Sequence, residues 1–255
     1  MKKKKQAKTI QQRKNNISCQ WIWGRHTVEA ALANPNRKIK KLYISNDIGP
    51  LTIPPNIVTV KTSKEQISAI LPKNAVHQGI ALLSDPLPTT TIEQICSIPS
   101  KTQNSTIMIL DQITDPRNVG AILRSAAVFG AAAVILPNRN ATRLTGVLAK
   151  SASGALDVVP LAHANNLVRT MELLKNSGYW CIGLDSQSKT KIPSSPQAAH
   201  QAITVGAEGS GLRRLTKEKC DMVYKIPSTG RVKSLNVSTA AAVALFALSA
   251  KEQTE

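Results

Sequence analysis

The sequence is poor in aromatic residues and in residues that bind metals. It has three tryptophans, three tyrosines and two phenylalanines among 255 residues, and its four histidines are dispersed. The four cysteines lack the paired spacings of a zinc or iron–sulfur site. They are Cys19, Cys96, Cys181 and Cys220. We therefore expect no metal, and we expect reduced, buried cysteines in a protein of the cytoplasm.

Long apolar runs are also missing. No stretch approaches the roughly 20 apolar residues that cross a bilayer, and no apolar segment follows the first lysines. Neither a membrane span nor a signal peptide is therefore expected. Because no long basic amphipathic helix is evident, a membrane surface is a weaker candidate partner than a nucleic acid.

Acidic residues are outnumbered by basic ones. Lysine and arginine total 33 against 15 acidic residues, which gives a formal net charge of +18. Residues 1–16 hold seven of the positive charges and no acid. This excess indicates a polyanionic partner, although a solvated basic surface is the alternative interpretation. Residues 1–20 are predicted to form a basic, disordered tail.

Three segments follow the tail. Residues 21–84 combine short strand and helix patterns and are predicted to form a small α/β domain. Residues 85–104 contain three prolines and many small polar residues, a composition typical of a linker. Residues 105–255 alternate apolar strand runs with helices, which predicts an α/β fold with a parallel sheet covered by helices.

The stretch DPRNVGAILRSAAVFGA, residues 115–131, follows one of these apolar runs. Asp115 is a good N-cap and Gly130 a good helix end. An apolar stripe is expected to face the core and consists of Val119, Ile122, Leu123 and Ala126. This pattern predicts a helix that starts where a strand ends.

Three polar side chains on that helix need a further explanation. Arg117 and Arg124 are two turns apart and share a face, while Asn118 lies in the first turn near free backbone N–H groups. At the carboxyl end of a strand, this arrangement indicates an anion site, most naturally for a phosphate. A capping asparagine with two solvated arginines is the alternative.

The stretch GAEGSGLRRL, residues 206–215, lies between a predicted strand and a helix. Its glycines, which allow the backbone to bend closely around a ligand, are Gly206, Gly209 and Gly211. The pattern is neither a dinucleotide fingerprint nor a P-loop. Glu208 would repel phosphate but could hold a hydroxyl or a cation. A tight strand–helix turn is the alternative, and Arg213 and Arg214 are expected to be basic surface.

The stretch IPSTGRVKSLNVS, residues 226–238, leads from a predicted strand to the last helix. Ser234, Asn236 and Ser238 place two hydroxyls and an amide at one helix entrance. Ordinary N-capping accounts for one of these side chains but not for three.

These three stretches resemble the motifs of the SpoU (TrmH-type) RNA ribose 2′-O-methyltransferases of the SPOUT superfamily. The resemblance covers nearly all of residues 21–250, with the motifs in order and at similar spacing. GRHTVEAAL and AVHQGI in the first domain are similar to the family's ribosomal-protein-like RNA-binding domain. Within the family, the chain most resembles the bacterial enzymes that methylate a guanosine ribose in large-subunit (23S) rRNA.

The resemblance implies a fold, a reaction and partners. The implied fold is a parallel-sheet SPOUT domain with a deep trefoil knot over 105–255, preceded by an RNA substrate-binding domain over 21–84. The implied reaction is methyl transfer from S-adenosylmethionine to a ribose 2′-hydroxyl of rRNA. Family members act as homodimers in which both protomers contribute to each active site.

The resemblance also implies site residues. The implied catalytic residues are Asn118, Arg124, Glu208, Ser234 and Asn236. The implied cofactor-binding residues are Gly206, Gly211, Ile226, Ser234 and Leu235. The implied RNA-binding residues are Arg25, Arg117 and Arg124. One departure is Pro-Ser-Thr at 227–229, where relatives often have Pro-Met-Ala, so cofactor packing could differ there.

Two questions stay open at this point. Arg124 is the family's proposed base, yet a guanidinium holds its proton far above neutral pH, so it could instead clamp a phosphate and stabilise a developing alkoxide. The substrate could be tRNA rather than rRNA. A catalytically silent RNA-binding or ribosome-assembly protein is a rival from another class, and a Rossmann oxidoreductase is disfavoured because its fingerprint is missing.

Overall fold

The computed structural model describes residues 19–138, 146–231 and 234–249. Contacts divide the chain into two units, with the boundary between Pro88 and Thr89, inside the predicted linker. The basic tail is predicted to be disordered, and its residues 1–18 lie outside the described part of the chain. The first strand begins at Gln20, the last residue of the predicted tail.

The first unit contains a four-stranded sheet. Its strands are β1 (Gln20–Trp23), β2 (Ile39–Ile44), β3 (Thr59–Lys61) and β4 (Ile80–Ser84), in the order β1-β4-β2-β3. Strand β4 is antiparallel to β1 and β2, while β3 is parallel to β2. Helices α1 (Arg25–Ala33) and α2 (Lys64–Ile70) complete the unit. Ile22, Leu42 and Leu82 are buried between these layers, as the α/β pattern predicts.

The second unit contains a six-stranded sheet within the described residues. Its strands are β5 (Ser105–Asp111), β6 (Ala133–Pro137), β7 (Leu161–Ala164), β8 (Trp180–Leu184), β9 (His200–Gly206) and β10 (Met222–Tyr224). They run in the order β10-β8-β9-β5-β6-β7, and every pairing is parallel. The predicted parallel sheet is confirmed, because continuous apolar runs such as β5 are buried on both faces.

Helices connect these strands. They are α3 (Ile92–Cys96), α4 (Pro116–Val128), α5 (Gly146–Ala152), α6 (Leu167–Asn176), α7 (Arg214–Lys219) and α8 (Val237–Leu248), with a 3₁₀ turn at Ala155–Asp157. Helix α4 has the predicted ends: the Asp115 carboxylate accepts from the Arg117 N–H at 2.9 Å, and Gly130 follows with φ +66°. The predicted stripe from Val119 to Ala126 is fully buried.

Two segments differ in detail from the sequence patterns. Helix α3 lies within 85–104, and its Ile95 is completely buried in the core beneath the sheet, so this segment does more than connect two domains. The apolar run Val158–Leu161 resembles a strand in its composition, but β7 begins only at Leu161. Val158 is exposed, and Pro160 has no N–H to give to a sheet.

Helix α8 packs against α4 and buries only part of its apolar surface. Ala241, Ala244 and Leu245 are fully buried. Phe246 is 63% exposed and lies 6.0 Å, between ring centroids, from Phe129 at the end of α4. An apolar face therefore remains open at this end of the two helices.

Residues 19–138, 146–231 and 234–249 include no helix long and apolar enough to cross a bilayer. In the same ranges, no three His, Cys, Asp or Glu side chains cluster closely enough to hold a metal ion. The four cysteines are not in disulfides. Burial raises the pKa of Cys181 and of Cys220 to about 12, which keeps both as unreactive thiols.

Candidate active site

The candidate site lies at the carboxyl edge of the second unit's sheet, where loops leave β8, β9 and β10. These loops enclose a cavity of about 860 Å³. Its lining consists of residues 184–187, 205–211, 226–230, 234–237 and Ala240. All five residues predicted to bind a cofactor lie in this lining, and so do Glu208 and Asn236. Ligands in open α/β sheets bind at this edge.

The loop after β9 needs glycine at two positions for steric reasons. A Cβ atom on Gly206 would lie 2.1 Å from the carbonyl carbon of Gly211, so any side chain there would collide with backbone. Gly211 has φ +66° and donates its N–H to the Ala207 carbonyl at 2.9 Å. The tight-turn interpretation is therefore correct, and the same turn forms one wall of the cavity.

An ion pair fixes the end of this loop. The Asp111 carboxylate is completely buried at the end of β5, where it accepts from the backbone N–H of Arg213 at 3.0 Å and from its Nε at 2.7 Å. Arg213 is exposed, as predicted for basic surface, but it also pairs with the buried Asp111, which the sequence patterns did not predict. Arg214 is exposed too, and it pairs with Glu218 on its own helix.

One asparagine joins all three sequence stretches. The Asn236 side-chain oxygen caps α8, accepting from the N–H of Ser238 at 2.9 Å and from its hydroxyl at 2.6 Å. Its Nδ2 donates to Asn118 Oδ1 at 3.1 Å and also to Glu208 Oε1. Asn118, Glu208 and Asn236 therefore form one hydrogen-bonded cluster at the mouth of the cavity.

The sheet order explains why these stretches meet. Strands β5 and β9 are neighbours, with Asp111 opposite Gly206, so the segments leaving them begin side by side. Helix α8 packs on α4, which brings its N-terminus, and with it Asn236, close to Asn118. The cluster offers a carboxylate and amide groups in an exposed position, an arrangement that can hold a hydroxyl-bearing ligand.

The remaining predicted residues occupy separate positions. Arg117 and Arg124 are exposed on α4, and neither forms an ion pair within the described residues. Ser234 lines the cavity. Arg25 belongs to the first unit, where its guanidinium pairs with Glu29 at 2.8 Å and donates to the Pro50 carbonyl at 2.6 Å.

Asp185 is a cavity residue that the sequence patterns did not identify. It follows β8, accepts from the Gln187 N–H at 2.8 Å and pairs with Lys217. Burial opposes ionisation of this carboxyl, but the hydrogen bonds from Lys217 and Gln187 outweigh burial and lower its pKa. The only sequence signal was an acid directly after an apolar strand.

Two family descriptions match the chain. Residues 105–246 match the SpoU rRNA Methylase family, and residues 21–90 match the domain described as RNA 2′-O ribose methyltransferase substrate binding. Together these matches span both units of the structure.

Individual proteins are similar over most of the chain. The 23S rRNA (guanosine-2′-O-)-methyltransferase RlmB of Photobacterium profundum is 36% identical over 237 residues, which cover 90% of this chain and 97% of that protein. A protein of Staphylococcus haemolyticus named as a TrmH family tRNA/rRNA methyltransferase is 37% identical over 88% of this chain and 93% of its own length.

Solved structures share the fold at low identity. The SpoU methyltransferase AviRb from Streptomyces viridochromogenes, in complex with AdoMet, superposes with a TM-score of 0.72 at 18% identity, covering 89% of this chain and 88% of that one. An AdoMet-bound rRNA methyltransferase from Sinorhizobium meliloti gives 0.72 at 19% identity, covering 92% and 88%.

Proposed function

The chain belongs to the SpoU rRNA methylase family, and on this basis we propose that it transfers a methyl group from S-adenosylmethionine to a ribose 2′-hydroxyl of structured RNA. The proposed substrate is a guanosine of 23S rRNA, the nucleotide named for the Photobacterium relative. The observation that carries the proposal is the Asn236 side chain, which bonds both Asn118 and Glu208 at the mouth of a cavity of suitable size.

The cavity residues fit S-adenosylmethionine. Backbone groups at Gly206, Ile226 and Leu235 would hold the cofactor. The missing Cβ atom of Gly206 lets the Gly211 backbone close the turn that walls the cavity, and Leu235 offers the cofactor an exposed apolar side chain. The bound cofactor supplies an activated methyl group on a sulfonium. The chain's own task is to orient the acceptor and exclude water from it.

The polar cluster would orient the acceptor ribose. A hydroxyl becomes a good nucleophile only as it loses its proton, so an acceptor such as the Glu208 carboxylate can align it. Arg124 is exposed on α4 and able to contact the RNA backbone. Since guanidinium groups stay protonated in proteins, we favour an electrostatic role for Arg124, holding phosphate and stabilising the developing alkoxide, over a role as base.

We also propose three features of the family that the structure does not show directly: a trefoil knot in the second unit, a cytoplasmic location and a homodimer. The open apolar face around Phe129 and Phe246 supports the homodimer, because exposed apolar patches commonly mark protein interfaces. Sedimentation of the active protein at micromolar concentration is expected to give a dimer, and a fully active monomer would contradict this.

A tRNA substrate is the second candidate, favoured by the name of the Staphylococcus relative. Radiolabelled methyl transfer to 23S rRNA and to bulk tRNA, followed by mapping of alkali-resistant linkages, separates the two. Label on rRNA at a guanosine ribose is the expected result. Label on tRNA alone would change the substrate, and failure to bind S-adenosylhomocysteine with tight NADH binding would reject the methyltransferase.

A further inference from the structure

A pair of lysines occupies opposite positions on two neighbouring segments at the edge of the second unit's sheet. Lys191 and Lys225 are partners in a parallel β-bridge. The bridge is held by hydrogen bonds from the Lys225 N–H to the Thr190 carbonyl at 2.8 Å and from the Ile192 N–H to the Lys225 carbonyl at 2.9 Å. Partners in a β-bridge project their side chains from the same face, so the two lysine side chains start next to each other.

This placement is electrostatically unfavourable unless an anion lies nearby, since like charges at opposite positions repel. Lys189, two residues before Lys191 in the same exposed segment, adds a third positive charge. Within the described residues, no acid forms an ion pair with any of the three. We call Lys189, Lys191 and Lys225 the lysine ledge.

Three other lysines of this unit are paired with acids. Lys175 pairs with Asp221, Lys217 with Asp185, and Lys219 with Glu172. These positive charges are locally neutralised by protein carboxylates. Unlike these three lysines, the three lysines of the ledge are grouped together and have no carboxylate partner among the described residues.

The ledge is continuous with the cavity wall. Gln187 lines the cavity two residues before Lys189, and Ile226 lines it directly after Lys225. We propose that the lysine ledge binds consecutive phosphates of the substrate RNA strand and so holds it beside the cofactor cavity. This proposal rests on the proposed function, because it specifies where the RNA of that reaction is held.

An RNA strand fits this surface better than a small anion. Two bridge-partnered lysines and a third two residues away form an extended positive edge, whereas a single phosphate is typically bound by a concave group of backbone N–H donors. Lysine ammonium groups contact phosphates without reading bases. The ledge should therefore contribute affinity and salt dependence rather than sequence preference.

The test is a salt series of RNA binding by the full chain. Lys189→Gln/Lys191→Gln removes two exposed charges and leaves Lys225, next to the cavity wall, intact. The slope of log K against log salt should flatten by ~1.4, at about 0.7 per phosphate contact on a single strand. Affinity near 0.1 M salt should fall by about one order of magnitude. S-adenosylhomocysteine affinity should be unchanged.

The matched control is Lys101→Gln/Lys219→Gln, which also removes two positive charges. Lys101 is exposed and precedes β5, so it lies at the amino-terminal ends of the strands, away from the carboxyl ends where the ledge lies. Lys219 is paired with Glu172. If the ledge variant and the control flatten the slope equally, the positive charge acts only through the net charge, and the proposal is wrong.

Two other results would also overturn the proposal. Weaker S-adenosylhomocysteine binding with an unchanged RNA slope would mean that the ledge supports the cavity rather than RNA. A wild-type protein that transfers no methyl group and binds RNA without salt dependence would reject the proposed function and the ledge with it. That failure is recognised in the wild type before any variant is made.

Discussion

Two polar clusters at the carboxyl edge of the same sheet differ in their exposure to solvent. Asp111 and Arg213 form a pair whose carboxylate is completely buried, with two hydrogen bonds at 3.0 and 2.7 Å. Glu208, Asn236 and Asn118 form a cluster in which Glu208 and Asn236 are exposed. The Asp111–Arg213 pair cannot exchange partners with a ligand without leaving the buried carboxylate unpaired, whereas the groups of the exposed cluster can exchange partners. Burial therefore separates the group that shapes the loop from the group available to a substrate.

The largest expected effect comes from breaking the buried pair. Arg213→Met leaves the Asp111 carboxylate buried with only a backbone N–H donor, so the free energy of unfolding should fall by about 3 kcal/mol, near the lower end for a buried pair because Arg213 is half-exposed. Urea unfolding measures this. The control is Arg214→Met, which breaks an exposed pair and should cost below about 1 kcal/mol.

A double variant checks the cause. Asp111→Asn/Arg213→Met removes both charges, so it should recover part of the stability that Arg213→Met loses. If the double variant is as unstable as the sum of the two single variants, the pair has no coupling, and the contrast between the buried and exposed clusters is lost.

The second expected effect is on turnover rather than stability. Arg124 is an exposed arginine without an ion pair in the described residues, unlike Arg213. Arg124→Ala should lower turnover by about 10²–10³-fold, the scale for losing one transition-state donor, and leave S-adenosylhomocysteine affinity and unfolding unchanged. Arg124→Lys should recover part of the turnover if the role is electrostatic. Near-normal turnover of Arg124→Ala would mean that Arg124 is a solvated surface residue with no part in the reaction.

The third prediction divides the two roles of Asn236. Asn236→Asp keeps the oxygen that caps α8 but loses the Nδ2 donor and places a second negative charge beside Glu208. Its stability should stay near wild type, since an acid at a helix N-terminus is favourable, while turnover falls by about 10²-fold, as for the loss of one oriented donor. Asn236→Ala should in addition lose about 1 kcal/mol with the cap.

Unfolding curves and methyl-transfer rates on the same preparations separate these outcomes. A fully active Asn236→Asp would mean that the bonds to Asn118 and Glu208 have no part in the reaction, and that this asparagine serves only as a cap.

Much of the fold could be predicted from local patterns. The start of α4 follows from Asp115 and Pro116, and its end from Gly130, because capping chemistry depends on adjacent residues. The parallel sheet follows from continuous apolar runs separated by helices. Val158 shows the limit of such patterns, because an apolar residue in an exposed turn has the same composition signal as a strand residue.

The contacts of the site could be predicted only in part. The three stretches could be identified as loops at strand ends, but their meeting depends on β5 and β9 being neighbours, and strand order leaves no periodic signal. The Asp111–Arg213 pair joins residues 102 positions apart, so nothing local distinguished Arg213 from Arg214. The five residues that the family resemblance implies for cofactor binding line one cavity in the structure, a grouping that sequence spacing alone does not predict.

The smallest expected effect concerns Asp185 and Lys217, a pair whose carboxylate is intermediate in exposure between those of the two clusters. This carboxylate lies in the cavity wall with a side chain 17% exposed, between the buried Asp111 and the exposed Glu208. The bonds from Lys217 and Gln187 lower its pKa in the folded state despite burial. A carboxyl with a lowered folded pKa stabilises the protein above its unfolded pKa of about 3.9, and that contribution is lost as pH falls through the folded value.

Asp185→Asn should therefore lower the free energy of unfolding at pH 7 by less than about 1 kcal/mol, because Lys217 is partly exposed and solvent screens the pair. The difference from wild type should shrink as pH falls below about 4. Urea unfolding at pH 7, 5 and 3.5 measures it, with Glu218→Gln as a control for an exposed pair. A difference that grows toward low pH would have the wrong sign for a lowered pKa. A loss as large as that of Arg213→Met would mean that partial burial already gives the full cost of a buried charge, and that the contrast between the two clusters does not depend on exposure.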